Sequence, residues 1–471
     1  MNRFQPRHAV VVGVFALLAL GIVMVTSAGL SIEPAHQITM VGILSSRTAI
    51  YAYLALIFMG IGSHLDLTAI LNWHGDHQGE INQPATTQST PLKSPSISHI
   101  AVPSISASNF PANSATDPTP PTPSTNEKII QFIRAVAIHP ATYLFLISIV
   151  MLLLVHLPGI GAIKNGAARW IEFKSGSFKL SMQPSEFAKW AMTIILPAGI
   201  VAMGPTRIRR FFTGFLPLLI ILSIICVLII TEDLGTAVLI GTVGMIVLFA
   251  AGVRWWHIVI LLPAPIATII YAILSSSYRM DRWNSFWNPY IDAQDKGYHM
   301  IQSMSAIANG HLTGRGLGHG IFKFGYLPED TTDFLFAIIC EEMGIIGALL
   351  VLFLYVVLLI SGFLIIKRIQ NNATKLVALG IVLTVGLQAV INLMVVTGLA
   401  PTKGIALPLL SAGGTGWILT AFSLGLLIKM DRVAEQNEHQ ETTDPEPTSN
   451  EYSNEPTDNA TNLLTDLATV S

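Results

Sequence analysis

The sequence predicts an all-α membrane protein: a polytopic bundle of ten transmembrane helices with a large extracytoplasmic loop between helices seven and eight. Three observations carry that prediction. Of 471 residues, 52% are hydrophobic and 11% charged, and the mean hydropathy is +0.59, outside the balance of a water-soluble domain. Apolar runs long enough to cross a bilayer recur along the chain, and the polar motifs gather between these runs instead of at their middles. A formal net charge of -2 provides no basic field for nucleic acid or for peripheral membrane binding, so nucleic acid is excluded as a partner. Cys226 and Cys340 both fall inside apolar runs, where a thiol behaves as a small hydrophobe and a disulfide framework is not expected.

The amino terminus places the basic head MNRFQPRH before an apolar body of about 22 residues, longer than the roughly 7 to 15 of a cleaved signal peptide, so a retained first span is expected. Spans then begin near Ala9, Thr48, Tyr143, Phe187, Phe215, Thr236, His257, Phe334, Leu376 and Ser411. The eighth run, 334–366, exceeds what one bilayer needs and should project, tilt or break. Ten is even, so both termini share a side. The basic clusters in short loops and beside the first helix, among them Arg3, Arg7 and the RIRR stretch 207–210, make that side cytoplasmic. Basic residues also collect on the opposite side, where topology disfavours them, which suggests an anionic ligand there.

Four segments follow from this layout. Residues 1–71 hold the first two spans, and residues 72–128, rich in Ser, Thr, Pro and Asn, form a disordered cytoplasmic insert. Residues 129–430 hold spans three to ten with their outer loops, and 431–471 form a disordered acidic cytoplasmic tail. His74 and His77 in the insert lack the cysteine partners or rigid frame of a metal site.

The outer loops carry the candidate chemistry. KNGAARWIEFKSGSFKLSMQPSEFAKWAM joins Arg169, Glu186 and Lys189 to a helix start at Pro184, and Lys189 inside an apolar helix needs a partner, which Glu186 at three residues' distance supplies. TEDLGTA sets Asp233 at the end of a span as a helix cap. The longest loop, 275–332, contains Arg279, Arg282 and GRGLGHG, which lacks the preceding strand and following Lys-Ser/Thr pair of a nucleotide site. LPEDTTDFLFAIICEEMG places Glu329, Thr332 and Asp333 at the mouth of an apolar helix, with Glu341 and Glu342 two turns deeper, and TGLAPTKGIALPLLSAGGTG brings Lys403 onto a Pro/Gly-kinked return into the membrane.

Taken together, NGAARWI with QPSEFAK, DLGTA, GYHMIQSMSAIANG with GRGLG, LPEDTTDFLFA with EEMGIIG, and PTKGIALPLLSAGGT resemble the shape, elongation, division and sporulation family in order and membrane context. The resemblance covers the chain from about the first span to Leu427, outside the insert and tail; Thr402 and Lys403 in PTKG are similar to the family's cell-division branch, whereas the elongation branch usually lacks that pair. Two departures stand out: Thr331 occupies a position where the family commonly has histidine, so no role of that histidine carries over, and Ala412 replaces an aromatic residue.

The resemblance implies a ten-span peptidoglycan glycosyltransferase of the bacterial cytoplasmic membrane at the division septum, with the family's essential aspartate falling on Asp333. It would polymerise lipid II onto a growing glycan strand, releasing undecaprenyl diphosphate. Its partners would be a class B penicillin-binding transpeptidase and other divisome proteins. Forming a β-1,4 bond from an α-linked diphosphate inverts the anomeric centre, which requires one general base and cationic help for the leaving group. Asp333 is the candidate base; Arg169, Lys189 and Lys403, with a possible divalent cation, Mg2+ or Mn2+, would stabilise the diphosphate, and Arg279 and Arg282 could also meet it. Glu186 pairs with Lys189, and Asp233, Glu329, Thr332 and Glu341 support the site. A lipid II flippase, an elongation-type polymerase and a non-catalytic division scaffold remain alternative readings.

Overall fold

The computed structural model describes residues 5–29, 44, 46–67, 71, 139–157, 160–164, 167–175, 178–295, 297–412 and 414–443, and it is mostly helical. The insert 72–128, with His74 and His77, and the chain after Thr443 lie outside the described residues. In chain order the helices are α1 (Pro6–Ala28), α2 (Arg47–Gly62), α3 (Pro140–Leu154), α4 (Pro184–Arg207), α5 (Leu216–Ile230), α6 (Leu234–Ala250), α7 (Trp255–Leu261), α8 (Pro263–Leu274), α9 (Ser277–Trp287), α10 (Tyr298–Asn309), α11 (Leu335–Arg368), α12 (Asn372–Val396) and α13 (Thr415–Thr443). A π-helical turn, Phe211–Phe215, leads into α5.

Six helical stretches among the described residues are long and apolar enough to cross a bilayer: α1, α4, the π-turn with α5, α7 with α8, α11 and α12. Three shorter apolar helices, α2, α3 and α6, accompany them. The chain is thus a membrane protein built of apolar helices. Lipid tails are as apolar as leucine, so these helices associate through close packing instead of escape from water. A close approach joins α2 to α13: a Cβ at Gly62 would meet the Phe422 carbonyl oxygen at 2.4 Å, and one at Gly425 the Met59 carbonyl oxygen at 2.2 Å. One buried cluster links α1, α2, α11, α12 and α13 through residues such as Leu17, Ala55, Val351, Val377 and Ala421. A second gathers α4, α5 and α6 around Leu196, Leu218, Ile225 and Leu239.

Two departures from the sequence reading concern the elements themselves. The chain is not purely helical: β1 (Gly161–Lys164), β2 (Ala167–Ser175) and β3 (Phe178–Met182) form an antiparallel sheet in the order β1-β2-β3. Ser175 pairs with Phe178, and Phe178, Leu180 and Met182 alternate with Lys179 and Ser181, a period-2 signal submerged in a polar linker. The acidic tail also begins later than expected. Helix α13 continues through Asp431, which is fully buried, to Thr443. Arg368 donates to Asp431 at 3.5 Å and Arg7 is paired with Glu435, so opposite charge from α11 and α1 holds this extension in the bundle.

The long α11 breaks at Gly344 (φ 65°, ψ -158°), where the chain of residues 310–316 presses against it: Arg315 and Gly316 N–H groups donate to the Glu341 and Glu342 carbonyl oxygens at 3.0 Å each. That break divides a short segment beside residues 329–334 from the long apolar remainder.

Candidate active site

A cavity of about 460 Å³ opens where β2, the starts of α4, α6 and α13, the turn before α11, the middle of α12 and the returning loop 404–412 converge. It brings together Arg169, Glu186, Lys189, Asp233, Glu329, Thr332 and Asp333 from four separate stretches of sequence. Arg279, Arg282, Lys403 and Glu341 are not among its lining residues.

Asp333 sits at the end of a tight turn. Glu329 adopts φ 57°, an uncommon conformation for a residue with a Cβ, and its carbonyl oxygen accepts from the N–H groups of Thr332 and Phe334 at 3.2 Å each. Thr332 Oγ1 donates to Glu329 Oε2 at 2.9 Å. The turn is fastened from outside as well. Asn392 Nδ2 donates to the carbonyl oxygens of Asp333 (2.8 Å) and Ile405 (2.7 Å), and the Ala412 N–H donates to Thr331 O at 2.9 Å. The Asp333 carboxylate lies against Gly404, where a Cβ would come within 2.9 Å of Oδ2. Burial, followed by the like charge of Glu329, pushes Asp333 up to about 7, with Arg282 opposing the rise. Asp330 lies outside the cavity lining, and burial raises it to about 6.

The cations divide into occupied and available groups. Lys189, 2% exposed, donates to both Glu186 oxygens (2.8 and 2.7 Å) and to Gln388 Oε1 at 2.7 Å, which uses all three ammonium protons. Arg279 gives three of its five donors to backbone, the carbonyl oxygens of Ala272 (3.1 Å), Ile230 (2.8 Å) and Thr231 (2.7 Å), tying α9 to the carboxyl end of α5. Among the described residues, Arg169 commits only Nε, to the Glu232 carbonyl oxygen at 2.7 Å. Arg282 donates to Thr402 O at 3.1 Å and lies 4.4 Å from the Tyr278 ring centroid, and burial holds its guanidinium below the usual arginine range. The Lys403 ammonium makes no hydrogen bond or ion pair with the described residues; burial lowers its pKa, while Asp233 favours its charged form. Arg169, Arg282 and Lys403 therefore keep the most donor capacity for an anion.

Asp233 caps α6, accepting from Thr236 N–H at 3.0 Å and Thr236 Oγ1 at 2.7 Å. Glu341 serves elsewhere: its carboxylate accepts from the N–H groups of Ile321 (2.6 Å) and Phe322 (3.2 Å) and so anchors the chain that packs on α11. Gln388 and Asn392, polar residues of the ninth span that leave room for a transport reading in the sequence, take structural roles here, and Trp417 and His299 escape sequence reasoning. Gln388 bridges Lys189 to the Ala406 carbonyl oxygen (2.8 Å), Asn392 joins the Asp333 turn to the returning loop, and Trp417 Nε1 donates to Ser411 O at 2.6 Å. His299 stacks on Phe334 with centroids 5.9 Å apart, and burial with the nearby Arg282 charge lowers its pKa. Amides inside apolar spans are a usable signal for the first two, because an unpartnered amide there is costly.

Among the described residues no group of three or more His, Cys, Asp or Glu side chains converges to hold a metal ion. Asp333, Glu329 and Asp233 ring the cavity without forming a cage, so no step is assigned to a protein-bound cation. What the arrangement supports is acid-base chemistry: a carboxylate titrating near neutrality, beside cations able to receive an anionic leaving group.

The chain shares its features with known proteins. It is 37% identical over 283 residues to the probable peptidoglycan glycosyltransferase FtsW of Geobacter metallireducens, covering 60% of this chain and 74% of that one. It is 40% identical over 291 residues to the stage V sporulation protein E of Bacillus subtilis, covering 62% and 78%. A solved structure titled "Structural coordination of polymerization and crosslinking by a peptidoglycan synthase complex" shares the fold, with a TM-score of 0.61 and 22% identity over 91% of this chain and 98% of that one. The profile of the FtsW, RodA and SpoVE family, described as "Cell cycle protein", matches residues 130–436. With the family profile spanning well over half its length, and with relatives above 30% identity matched over most of their own chains, the chain belongs to the FtsW/RodA/SpoVE family of cell cycle proteins.

Proposed function

We infer that this chain is a peptidoglycan glycosyltransferase that joins lipid II units by inverting β-1,4 transfer. The observation that carries the assignment is the Asp333 carboxylate, titrating near 7 in a cavity flanked by Arg169 and close to Arg282. Asp333 takes the proton from the acceptor sugar's 4-hydroxyl as that oxygen attacks the anomeric carbon, and the bond to the diphosphate breaks in line. Arg169, Arg282 and Lys403 receive the undecaprenyl diphosphate charge. Lys189 and Glu186 act as a neutral pair that fixes the cavity wall through Gln388. That wiring also argues against a transport role, since the amides of α12 fasten the reacting loop to its neighbours.

The bundle supports a ten-span topology in which α1, α2, α3, α4, the π-turn with α5, α6, α7 with α8, α11, α12 and α13 each cross once. Residues 275–334 then form the outer loop between the seventh and eighth spans, with both termini and residues 72–128 cytoplasmic. The strand produced must be cross-linked, so the partner is a class B penicillin-binding transpeptidase at the division septum, alongside other divisome proteins.

The test is a polymerisation assay with purified full-length protein and lipid II, with and without a transpeptidase partner. A glycan ladder should form, and the rate should rise about tenfold per pH unit below 7 and level off above it, because Asp333 must lose its proton to act as base. A rate independent of pH between 5 and 8 would remove Asp333 from that role. Lys403→Arg should retain more activity than Lys403→Met, which loses the charge and falls by about tenfold or more. Equal yields from both substitutions would make Lys403 a packing residue.

A further inference from the structure

At the far end of α4, 24 residues from its start beside the active-site cavity, lies an open cleft of about 730 Å³. Its walls include Thr206, Arg209, Arg210, Phe211, Arg254 and His257, and no acidic residue among the described residues. The local backbone builds this convergence. Gly204 (φ 75°, ψ 164°) and Pro205 interrupt α4, and the π-turn that follows reverses the chain toward Arg254, at the start of α7. None of the three arginines makes a side-chain hydrogen bond or ion pair with any described residue. The His257 ring is stacked on Phe215 (centroids 5.5 Å) and edge-on to Phe211 (5.3 Å), and its buried Nδ1 has no hydrogen-bond partner among the described residues. Phe212, Trp255 and Trp256, at 76%, 52% and 56% exposure, flank the cleft. Exposed aromatics at a helix end mark the level of lipid head groups.

Topology alone asks for positive charge at a span's end; it does not require three unpaired guanidiniums to converge on one cleft beside an unpartnered imidazole nitrogen. We propose that this cleft binds the phosphate head group of an anionic membrane lipid, and that a lipid bearing two phosphates fits it best. Each guanidinium presents a fork of N–H donors to phosphate oxygens, and the neighbouring aromatics rest among the acyl chains. Three arginines exceed the single charge of a one-phosphate lipid and suit two phosphates held side by side.

The full-length purified protein can be titrated with cardiolipin and, separately, with phosphatidylcholine, and bound lipid counted by native mass spectrometry. Cardiolipin should bind selectively. Arg254→Gln should weaken it about fivefold, and the triple variant Arg209→Gln, Arg210→Gln, Arg254→Gln on the order of a hundredfold, with elution volume unchanged. Arg254→Lys should keep most of the binding, which separates charge from folding, and the single variants decide the matter if the triple variant misfolds. Sodium pyrophosphate provides the soluble arm. Cardiolipin affinity equal in wild type and Arg254→Gln would overturn the proposal, as would pyrophosphate binding at least as tight as cardiolipin, which would make the cleft a site for a soluble anion.

Discussion

Asp333→Asn should abolish glycan polymerisation while leaving the protein folded and inserted. Asparagine keeps the size of the side chain, and the turn's fastening runs through the Asp333 carbonyl oxygen and the N–H groups of Thr332 and Phe334, which the substitution leaves in place. What disappears is the basic carboxylate. Loss of a general base costs about 100- to 10,000-fold in rate. The stability consequence has the opposite sign. A carboxyl raised to about 7 in the folded state, from about 4 when unfolded, favours folding only while protonated, and that advantage fades as pH rises from about 4 through 7. Above pH 7 the wild-type protein carries an ionised buried carboxylate that the variant lacks, so the variant should melt at an equal or higher temperature there. Asp330→Asn, outside the cavity, should remain near wild-type activity. Wild-type glycan synthesis by purified Asp333→Asn protein would end the catalytic assignment, and lipid II movement across vesicles by wild type alone would put transport in its place.

The parts of this site that are readable from sequence are those set by local spacing. Glu186 and Lys189, three apart at a helix start, must meet, and they do at 2.7 Å. Asp233 after a span and before Thr236 has the spacing of a cap, and caps α6. The excess length of the run 334–366 anticipates an interruption, which falls at Gly344 because that glycine adopts positive φ where the preceding loop presses in. What spacing cannot show is which partner consumes a charged group. Arg279 reads as a diphosphate ligand until the three carbonyl oxygens around it are seen, and Lys189 until Gln388 joins it from 199 residues away. The sheet 161–182 is missed for a different reason: its strands are short, and in a linker full of lysine and serine, alternation of single apolar residues is a weak signal.

Lys323→Met should destabilise the fold by about 3 to 5 kcal/mol, the largest structural effect expected of one substitution here. The side chains of Lys323 and Glu342 are both fully buried, with Nζ 2.8 Å from Oε1. Glu342 also accepts from Ser27 Oγ at 2.9 and 2.7 Å and from the Gly318 and Gly320 N–H groups at 3.0 and 3.4 Å. One carboxylate thereby ties α1 and the loop before the active-site turn to the short upper segment of α11. Without Lys323 that carboxylate keeps its neutral donors and loses its only ion-pair partner among the described residues, and a buried unpaired charge is far costlier than the pair is favourable. The double variant Lys323→Met, Glu342→Gln should therefore be more stable than Lys323→Met alone, since an amide needs no counter-charge and can still accept from Ser27. Activity should follow stability, because residues 318–323 and the Asp333 turn are held by the same segment of α11. Thermal unfolding in detergent, run as a double-mutant cycle, measures the coupling directly. Additive losses in the double variant would show that Lys323 and Glu342 act independently and that the network does not support the site.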